Sequence, residues 1–286
     1  MKRVFLIGNG ESRRDFNLQN LRQYGKIYGC NALYRDFLPD ALISVDHGIM
    51  HEVYHAGVAQ KIPCYFRDWT KVPGASYHAL VRSGVTKEEF MEANKEYDIL
   101  VENEKNDAEE FVIHGSNLKG IVEVLKRAGG TDKRNINHTT IKVSWIQKPD
   151  YSMSITDIMT NDKGSKHDRG WSAGPTSGFV ACAVEKPNEA FLIGHDLYST
   201  TNKINNMYKS TTNYTAKENG PTPAVNWIRQ WWELFKINPN TTFYKVNPFN
   251  DGRDAVNSPI TEWMNNKTLP NVKYIDYSTL DNMLKG

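Results

Sequence analysis

Short apolar runs separated by polar or glycine-containing turns occupy the first part of the chain. The runs cover residues 4–7, 26–30, 41–45 and 62–66, and a helical stretch at 17–24 follows the first of them. Apolar runs of this length, bounded by turn residues, predict buried strands of a parallel sheet. Strands joined by short helices predict right-handed crossovers and helices on both sheet faces. The expected fold is therefore α/β, with a Rossmann-like, mostly parallel sheet.

The same alternation returns towards the end of the chain. It predicts a small-residue helix at 176–184, a strand at 190–193, an aromatic-rich helix at 223–235, and strands at 242–246 and 272–275. Trp227 and Trp231 share one face of the aromatic-rich helix, which favours core packing. Because no linker or low-complexity segment separates the two parts, we expect residues 1–286 to form a single nucleotide-binding domain.

Two stretches depart from this alternation. Residues 72–137 are more charged and less regular, and they predict an insertion in, or an extension of, the main sheet. Helices are expected there at 86–97 and 118–127, with a strand after them at 140–146. Residues 199–221 are rich in Asn, Thr, Lys and Tyr without any periodicity. A loop of this length inside a compact domain predicts a lid over a binding site.

The composition of the chain excludes some classes of protein but does not indicate a function. Mean hydropathy is −0.59, and no apolar run approaches the length of a membrane span. The basic start of the chain leads directly into a strand, so we expect a soluble, cytoplasmic protein without a signal peptide. The net charge of +2 neither requires nor excludes nucleic acid. Cys30, Cys64 and Cys182 lie in apolar segments, which favours buried, reduced thiols.

Glycines, amides, hydroxyls and an acidic residue follow the predicted strands. Parallel sheets bind ligands outside the carboxyl ends of their strands, where helix N-termini favour phosphate. Glycines let the backbone approach a phosphate, Asn and Ser can bond ribose and base, and an acid can bond sugar hydroxyls. The candidate nucleotide-binding residues are Gly8, Asn9, Gly10, Ser12, Asn31, Thr176, Ser177, Gly178, Gly194 and Asp196.

Two of these motifs also have purely structural interpretations. The turn Gly8-Asn9-Gly10 lacks the third glycine of the dinucleotide-binding fingerprint, because Ser12 and Arg13 stand in its place, and it is also typical of an ordinary tight turn. The segment 176–178 is also typical of a helix cap followed by small residues that pack on the sheet. The gathering of several polar strand ends at one edge favours a ligand site.

Four of the eight histidines bear on function, as a helical group of three and one single residue. His47, His51 and His55 recur every fourth residue, which places them on one face of a helix. They would spread over about 12 Å of helix axis, too far for one metal ion, so we expect a polar or ligand-facing helix edge and no metal site. His195 stands between Gly194 and Asp196, where a functional role and a hydrogen-bonded structural role both fit.

Four sequence blocks together resemble a known family. Ile7-Gly8-Asn9-Gly10, Cys30-Asn31, TSGFVACAV at 176–184 and FLIGHDLY at 191–198 follow one another as in the bacterial sialyltransferases of glycosyltransferase family 42. The chain as a whole also resembles proteins of tailed marine phages, which implies the cytoplasm of an infected bacterium. The family resemblance implies a Rossmann-like fold with a lid, a nucleotide-sugar donor, no metal or other cofactor, and inverting transfer.

The resemblance also implies residue roles. Asn9, Gly10 and Asn31 would contact the nucleotide, and its ribose and base would be held by Thr176, Ser177, Gly194 and Asp196. Tyr198 and a lid tyrosine, best matched by Tyr208, would donate hydroxyl groups to the leaving phosphate. Donors aimed at the oxygen on which charge develops stabilise a transition state without a metal.

Two departures from the family bear on its chemistry. The general-base histidine of the family lies after the lid, but this chain has no histidine beyond His195. Asp46 stands where the family has an asparagine, and a carboxylate there would repel an anionic sugar, so sialic acid is not the expected sugar. The candidate catalytic bases are then Asp46, His47 and His195.

The leading expectation is a metal-independent glycosyltransferase with a nucleotide-activated sugar as donor. Its acceptor would be a glycan or a modified DNA base, and a homo-oligomeric state stays open. One alternative is a magnesium-dependent phosphoryl or pyrophosphoryl transferase with Asp46 and Asp196 as oxygen ligands. The other is a non-catalytic nucleotide-binding module, suggested by the missing histidine.

Overall fold

The computed structural model describes residues 1–58, 61–66, 69–73, 100–102, 110–114, 171–247 and 269–286. Its strands are β1 (Arg3–Ile7), β2 (Lys26–Cys30), β3 (Ala41–Ser44), β4 (Cys64–Phe66), β5 (Trp69–Pro73), β6 (Leu100–Glu102), β7 (Glu110–His114), β8 (Glu189–Ile193), β9 (Thr242–Asn247) and β10 (Val272–Asp276). Its α-helices are α1 (His47–His55), α2 (Ala173–Glu185), α3 (Val225–Ile237) and α4 (Tyr277–Lys285). Short 3₁₀ turns cover Glu11–Arg13, Leu18–Leu21 and Asn31–Arg35.

Seven strands form one sheet in which every neighbouring pair is parallel. The order is β10-β9-β8-β1-β2-β3-β4. From β1 the chain adds β2, β3 and β4 on one side, and β8, β9 and β10 then extend the other side. The strand order therefore reverses between β1 and β8, and open α/β sheets bind ligands at the carboxyl ends beside such a reversal. The Rossmann-like α/β fold is confirmed.

Helices cover both faces of this sheet. Phe243 of β9 packs against Phe235 of α3, with ring centroids 4.7 Å apart. Tyr244 follows Phe243 in the strand and so points to the opposite face, where it stacks on Phe191 at 4.9 Å. On that second face Arg3 donates to the Met283 carbonyl of α4 at 3.2 Å. Cover on both sides explains why the central strand β1 is an unbroken apolar run from position 4 to position 7.

The predicted strands agree closely with the structure, whereas several helices differ. The second strand begins and ends as predicted, and α1 contains all three histidines of the helical group. The helix expected at 17–24 is only a 3₁₀ turn at Leu18–Leu21, capped by the side chain of Asn17. The C-terminal helix α4 was not predicted. It begins where the carboxylate of Asp276 accepts from the Thr279 amide at 2.7 Å.

Three further strands form a separate sheet. Strands β5, β7 and β6 pair in that order and are antiparallel. In the described residues the region 72–137 therefore does not extend the parallel sheet, because its strands pair with one another and with β5. The predicted helices at 86–97 and 118–127 and the predicted strand at 140–146 lie outside the described residues.

In the described part of the chain, none of the helices has the length and apolar character needed to cross a lipid bilayer.

The three cysteine thiols are free and buried. Burial raises the pKa of Cys30 and of Cys182 to about 12, so almost no thiolate forms at neutral pH. We expect iodoacetamide at pH 8 to leave the native protein unmodified and to alkylate all three residues after unfolding in guanidinium chloride. Mass spectrometry of both samples checks this. Rapid alkylation of any cysteine in the native protein would show that its burial is wrong.

Candidate functional site

A cavity of about 680 Å³ lies at the carboxyl ends of β1, β2, β3 and β8. The first turn of α2, the 199–221 segment and the start of α3 complete its walls. Its volume is within the range of small-molecule sites. Of the predicted site residues, those that line it are Gly8, Asn9, Gly10, Asn31, Asp46, Gly194, His195, Asp196 and Tyr198.

The glycines of the β1 and β8 exits are required by a close approach of two loops. The amide of Gly8 donates to Ile193 at 2.8 Å, and that of Gly10 donates to Gly194 at 2.7 Å. Gly194 has φ +70°, and a Cβ atom there would lie 2.9 Å from the Gly8 carbonyl oxygen. A Cβ on Gly8 would lie 2.8 Å from Nδ1 of His195. These glycines therefore fit the two loops against each other.

The amides that follow the first strand are already satisfied by protein groups. The carboxylate of Asp196 accepts from the Ser12 amide at 2.9 Å and also from the Ser12 hydroxyl. The Glu11 amide donates to Oδ1 of Asn205 at 2.8 Å. Asp196 thus occupies the position at the turn where an anion would bind. This arrangement favours the tight-turn interpretation of the motif, because the Gly8, Gly10, Glu11 and Ser12 amides all donate to protein groups.

Three buried polar atoms on cavity-lining residues have no hydrogen-bond partner in the described part of the protein. They are Oδ1 of Asn9, Oδ1 of Asn31 and Nε2 of His195. The orientation of the Asn9 amide is fixed, because its Nδ2 donates to the Cys30 carbonyl at 3.2 Å. A buried polar atom without a partner costs about 1–3 kcal/mol. Three such atoms lie at the ends of neighbouring strands. This pattern is expected of a binding site in which a ligand supplies the missing hydrogen bonds.

Asn31 also adopts an unusual backbone conformation. Its φ is +50°, in the left-handed region that asparagine tolerates better than most residues. The residue directly follows β2 and opens the 3₁₀ turn Asn31–Arg35. Residues held in such conformations concentrate at ligand sites, where the surrounding structure compensates for the strain. This backbone conformation places the side-chain amide of Asn31 at the wall of the cavity.

His195 lies beneath the cavity as a neutral imidazole. Its ring is edge-on to Trp231, with centroids 5.0 Å apart. Burial, followed by the nearby charge of Lys245, lowers the pKa of His195 to about 3. A base with so low a pKa is inefficient near neutral pH. The geometry therefore favours His195 as a hydrogen-bonding group rather than as the general base.

Of the other two candidate bases, Asp46 lines the cavity with an exposed side chain. It follows β3 and directly precedes α1. His47 is the first residue of α1, but its side chain, like those of His51 and His55, lies outside the described part of the structure. Among the three candidates, Asp46 is the one whose described side chain reaches the cavity and is open to solvent.

The segment 176–178 is not part of the described cavity lining, and the nucleotide-binding role of Thr176, Ser177 and Gly178 stays a prediction. All three are buried within α2, and the Ser177 hydroxyl donates to the Gly174 carbonyl at 2.7 Å. A Cβ on Gly178 would lie 2.7 Å from the Trp231 ring. Because α2 begins at Ala173, its first turn faces the cavity and the triplet packs inside the protein.

Tyr208 makes contacts other than those predicted for it, and its role at the leaving phosphate stays a prediction. It is 5% exposed, and its hydroxyl donates to Oδ2 of Asp36 at 2.6 Å and accepts from Arg13 at 3.1 Å. Tyr208 is not among the described residues that line the cavity. The Tyr208 hydroxyl thus both donates and accepts a hydrogen bond within the protein. These bonds anchor the 199–221 segment to Asp36 and Arg13. Ser12 also does not line the cavity and instead holds Asp196.

Tyr214, in the 199–221 segment, is a cavity residue that sequence reasoning missed. It lines the cavity, and its hydroxyl accepts from Nδ2 of Asn9 and from the Ala32 amide, both at 3.3 Å. Because both bonds use the oxygen as acceptor, the hydroxyl proton is left for a ligand. Burial raises the pKa of Tyr214, so the proton is retained at neutral pH. No local sequence signal separates Tyr214 from Tyr208.

An apolar wall from the start of α3 was missed as well. Pro223, Val225, Trp227 and Ile228 line the cavity opposite its polar strand ends. Trp231, one turn further along α3, is 1% exposed and packs in the core as predicted, while its edge also reaches the cavity. The apolar stripe of α3 therefore continues past the core and forms one wall of the site.

Negative charge predominates in the described lining. It contains no lysine or arginine, and its charged side chains are Asp46 and Asp196. No cluster of three or more metal-ligating side chains was found among the described residues. A ligand with several negative charges would meet unfavourable electrostatics here unless cations accompany it.

No protein-family model matches the chain, and neither a curated protein nor a solved structure is significantly similar to it.

The buried histidine predicts an acid-dependent loss of stability. In the unfolded chain the imidazole takes up a proton below pH 6.5, whereas in the folded protein it does so only near pH 3. The unfolded state therefore binds more protons between these values, and the free energy of unfolding falls as pH falls through this window.

We expect urea titrations at pH 7.5 and pH 5 to show this loss in the wild type and a smaller one in His195→Gln. The difference should reach about 2 kcal/mol, from the proton uptake of one imidazole over 1.5 pH units. Glutamine keeps a polar side chain but cannot titrate, so it isolates the contribution of His195. Equal pH dependence of the two proteins would mean that His195 is not buried in its neutral form.

Proposed function

We propose that this protein is a glycosyltransferase whose cavity binds a nucleotide-activated sugar. The observation that carries the proposal is the set of unpartnered buried atoms on Asn9, Asn31 and His195, all on residues lining one cavity beside the strand-order reversal. The two amide oxygens are acceptors, and a nucleoside offers matching donors in its base N–H groups and ribose hydroxyls. The apolar wall at Trp227 suits the flat face of a base or sugar ring.

The donor that best suits this lining carries a single phosphate. The described lining holds two carboxylates and no basic side chain, so the N-terminus of α2 alone would have to offset the additional charge of a diphosphate. The Gly8 and Gly10 amides donate to the carbonyls of Ile193 and Gly194, and the Ser12 amide donates to Asp196. A sugar joined to a nucleoside monophosphate therefore fits better than one joined to a diphosphate.

Tyr214 and Asp46 supply groups for inverting transfer. In the proposed step an acceptor hydroxyl attacks the anomeric carbon, and the bond from that carbon to the phosphate oxygen breaks. Asp46 takes the proton from the acceptor hydroxyl, and the Tyr214 hydroxyl donates a hydrogen bond to the departing phosphate. Tyr198, which also lines the cavity, is a second candidate for contact with the phosphate. The acceptor is a glycan or a modified DNA base.

The alternative magnesium-dependent phosphoryl transfer receives less support from the same residues. It would use Asp46 and Asp196 as oxygen ligands, but each carboxylate oxygen of Asp196 already accepts a hydrogen bond from Ser12. The alternative of a non-catalytic module shares the nucleotide site with the glycosyltransferase. Only turnover of a nucleotide sugar separates these two.

Nucleotide binding is tested by thermal shift, because a ligand that binds only the folded state raises the melting temperature. We expect at least one of CMP, UMP, GMP and AMP to raise Tm, and to do so more than the matching diphosphate in EDTA. Asn9→Ala and Asn31→Gly should lower that shift, the glycine being chosen because it accepts φ +50°.

Asn20→Ala, at an exposed position outside the cavity, is the matched control and should keep the wild-type shift. If none of the nucleotides and none of their sugars shifts the wild type, the proposed function is wrong. An undiminished shift in both asparagine variants would place the nucleotide elsewhere.

Transfer itself is tested with a panel of nucleotide sugars by measuring free nucleotide release in the presence of acceptor glycans. We expect Asp46→Asn to lower kcat by about 10²–10⁴-fold and Tyr214→Phe by about 10²–10³-fold, the usual effects of removing a general base or a donor to developing charge. Asp15→Asn, at an exposed site outside the cavity, should be neutral. Full activity in Asp46→Asn would remove Asp46 as the base.

A further inference from the structure

Arg35 links the turn that begins at the cavity-lining Asn31 to α1. It ends the 3₁₀ turn that begins with Asn31. Its Nε and one terminal nitrogen donate to the two carboxylate oxygens of Glu52, each at 2.7 Å. Both side chains are 21% exposed, so water screens this pair only in part. A bidentate pair of this kind fixes the plane of the guanidinium group.

The same guanidinium also holds the 199–221 segment. It donates to the Thr211 hydroxyl at 2.7 Å and to the Thr212 carbonyl at 3.0 Å. Glu52 in turn accepts from Nδ2 of Asn213 at 2.9 Å. Three consecutive residues, 211–213, are thus bonded to one ion pair. We call the set of Tyr34, Arg35, Glu52, Thr211, Thr212 and Asn213 the Arg35 cluster.

Tyr214 directly follows this bonded stretch. The guanidinium carbon of Arg35 lies 5.6 Å from the centroids of both the Tyr208 and the Tyr214 rings, within cation–π range. Among the described residues, the Tyr214 hydroxyl takes part in two hydrogen bonds, both at 3.3 Å. Bonds of that length are near the upper limit for an N–H donor. The Arg35 cluster therefore contributes to the position of the Tyr214 hydroxyl, together with the packing of the Tyr214 ring against Tyr208, at 5.6 Å between centroids.

The geometry points to Arg35 as a positioning residue that, through its ion pair with Glu52, holds the Tyr214 hydroxyl at the cavity. Its effect on catalysis rests on the proposed function, whereas its effect on Tyr214 does not. Burial opposes ionisation of Glu52, yet hydrogen bonds from Tyr34, Arg35 and Asn213 hold the pKa of Glu52 below its ordinary value. The pair is accordingly charged at neutral pH.

The positioning claim is tested first without any ligand. Tyrosines are replaced biosynthetically by 3-fluorotyrosine, and the ¹⁹F resonance of Tyr214 is assigned as the one missing in Tyr214→Phe. We expect Arg35→Met and Glu52→Gln to shift or broaden this resonance, with Arg35→Lys restoring part of the native signal. We also expect trypsin to cleave after Lys217, an exposed residue, about tenfold faster in Arg35→Met, since local opening becomes easier.

Arg22→Met is the matched control. Arg22 also packs its guanidinium on an aromatic ring, that of Phe37 at 4.5 Å, and donates to Gln19 and Leu38, but it does not contact the 199–221 segment. It should leave the Tyr214 resonance and the cleavage rate unchanged. If Arg35→Met does not fold, Arg35→Lys and Glu52→Gln carry the same test.

The second part uses the nucleoside monophosphates CMP, UMP, GMP and AMP in a double-mutant cycle. Arg35→Met should weaken binding of the monophosphate about tenfold when Tyr214 is present and much less in the Tyr214→Phe background, because its effect acts through that hydroxyl. Equal losses in both backgrounds overturn the positioning role, as does an unmoved Tyr214 resonance. If the resonance moves but no nucleotide binds the wild type, positioning stands and the proposed function fails.

Discussion

The close approach of the loops that follow β1 and β8 is the constraint on which the rest of the site depends. Gly8 and Gly10 donate their amides to the β8 side, at Ile193 and Gly194. The loops fit together because these positions carry no Cβ atom. That contact places Asp196 against Ser12 and His195 under the cavity. The motif that looked like a phosphate loop therefore acts as the junction of the sheet's two halves.

The junction also explains why polar atoms stay unsatisfied in an otherwise well-bonded region. Asp196 uses the amide and hydroxyl of Ser12, and Asn9 uses its Nδ2 on Cys30 and Tyr214. What remains on the lining residues are mainly acceptors, together with one neutral imidazole. Such a site selects a ligand with hydrogen-bond donors and little negative charge. The Arg35 cluster adds one oriented donor, the Tyr214 hydroxyl, from outside the sheet.

The sequence predicted the sheet well because its signal is local. Each buried strand is an apolar run that ends at a glycine or a polar residue, and the positions of Asn9, Asn31 and Asp46 at strand ends follow directly. The segment 176–178 lies about one turn further into α2 than predicted, because the helix starts at Ala173. A proline at position 175 is tolerated in a first helical turn and did not mark the boundary.

Other parts of the site depend on contacts between residues far apart in the chain. Tyr208 and Tyr214 lie in the same polar segment, and only their partners distinguish them: Asp36 and Arg13 for the first, Asn9 and Ala32 for the second. The pairing of Arg35 with Glu52 and with residues 211–213 has no local signal either. The carboxylate of Asp196 was expected to bond a sugar, and only the structure shows that Ser12 already holds it.

The most direct test of the proposed binding mode is a crystal structure with a nucleoside monophosphate soaked into the cavity. We expect donors of the base or ribose within hydrogen-bonding distance of Oδ1 of Asn9 or Asn31, and the bond between Asp196 and Ser12 intact. A nucleotide whose phosphate displaces Asp196 from the Ser12 amide, or one bound away from both asparagines, would contradict it.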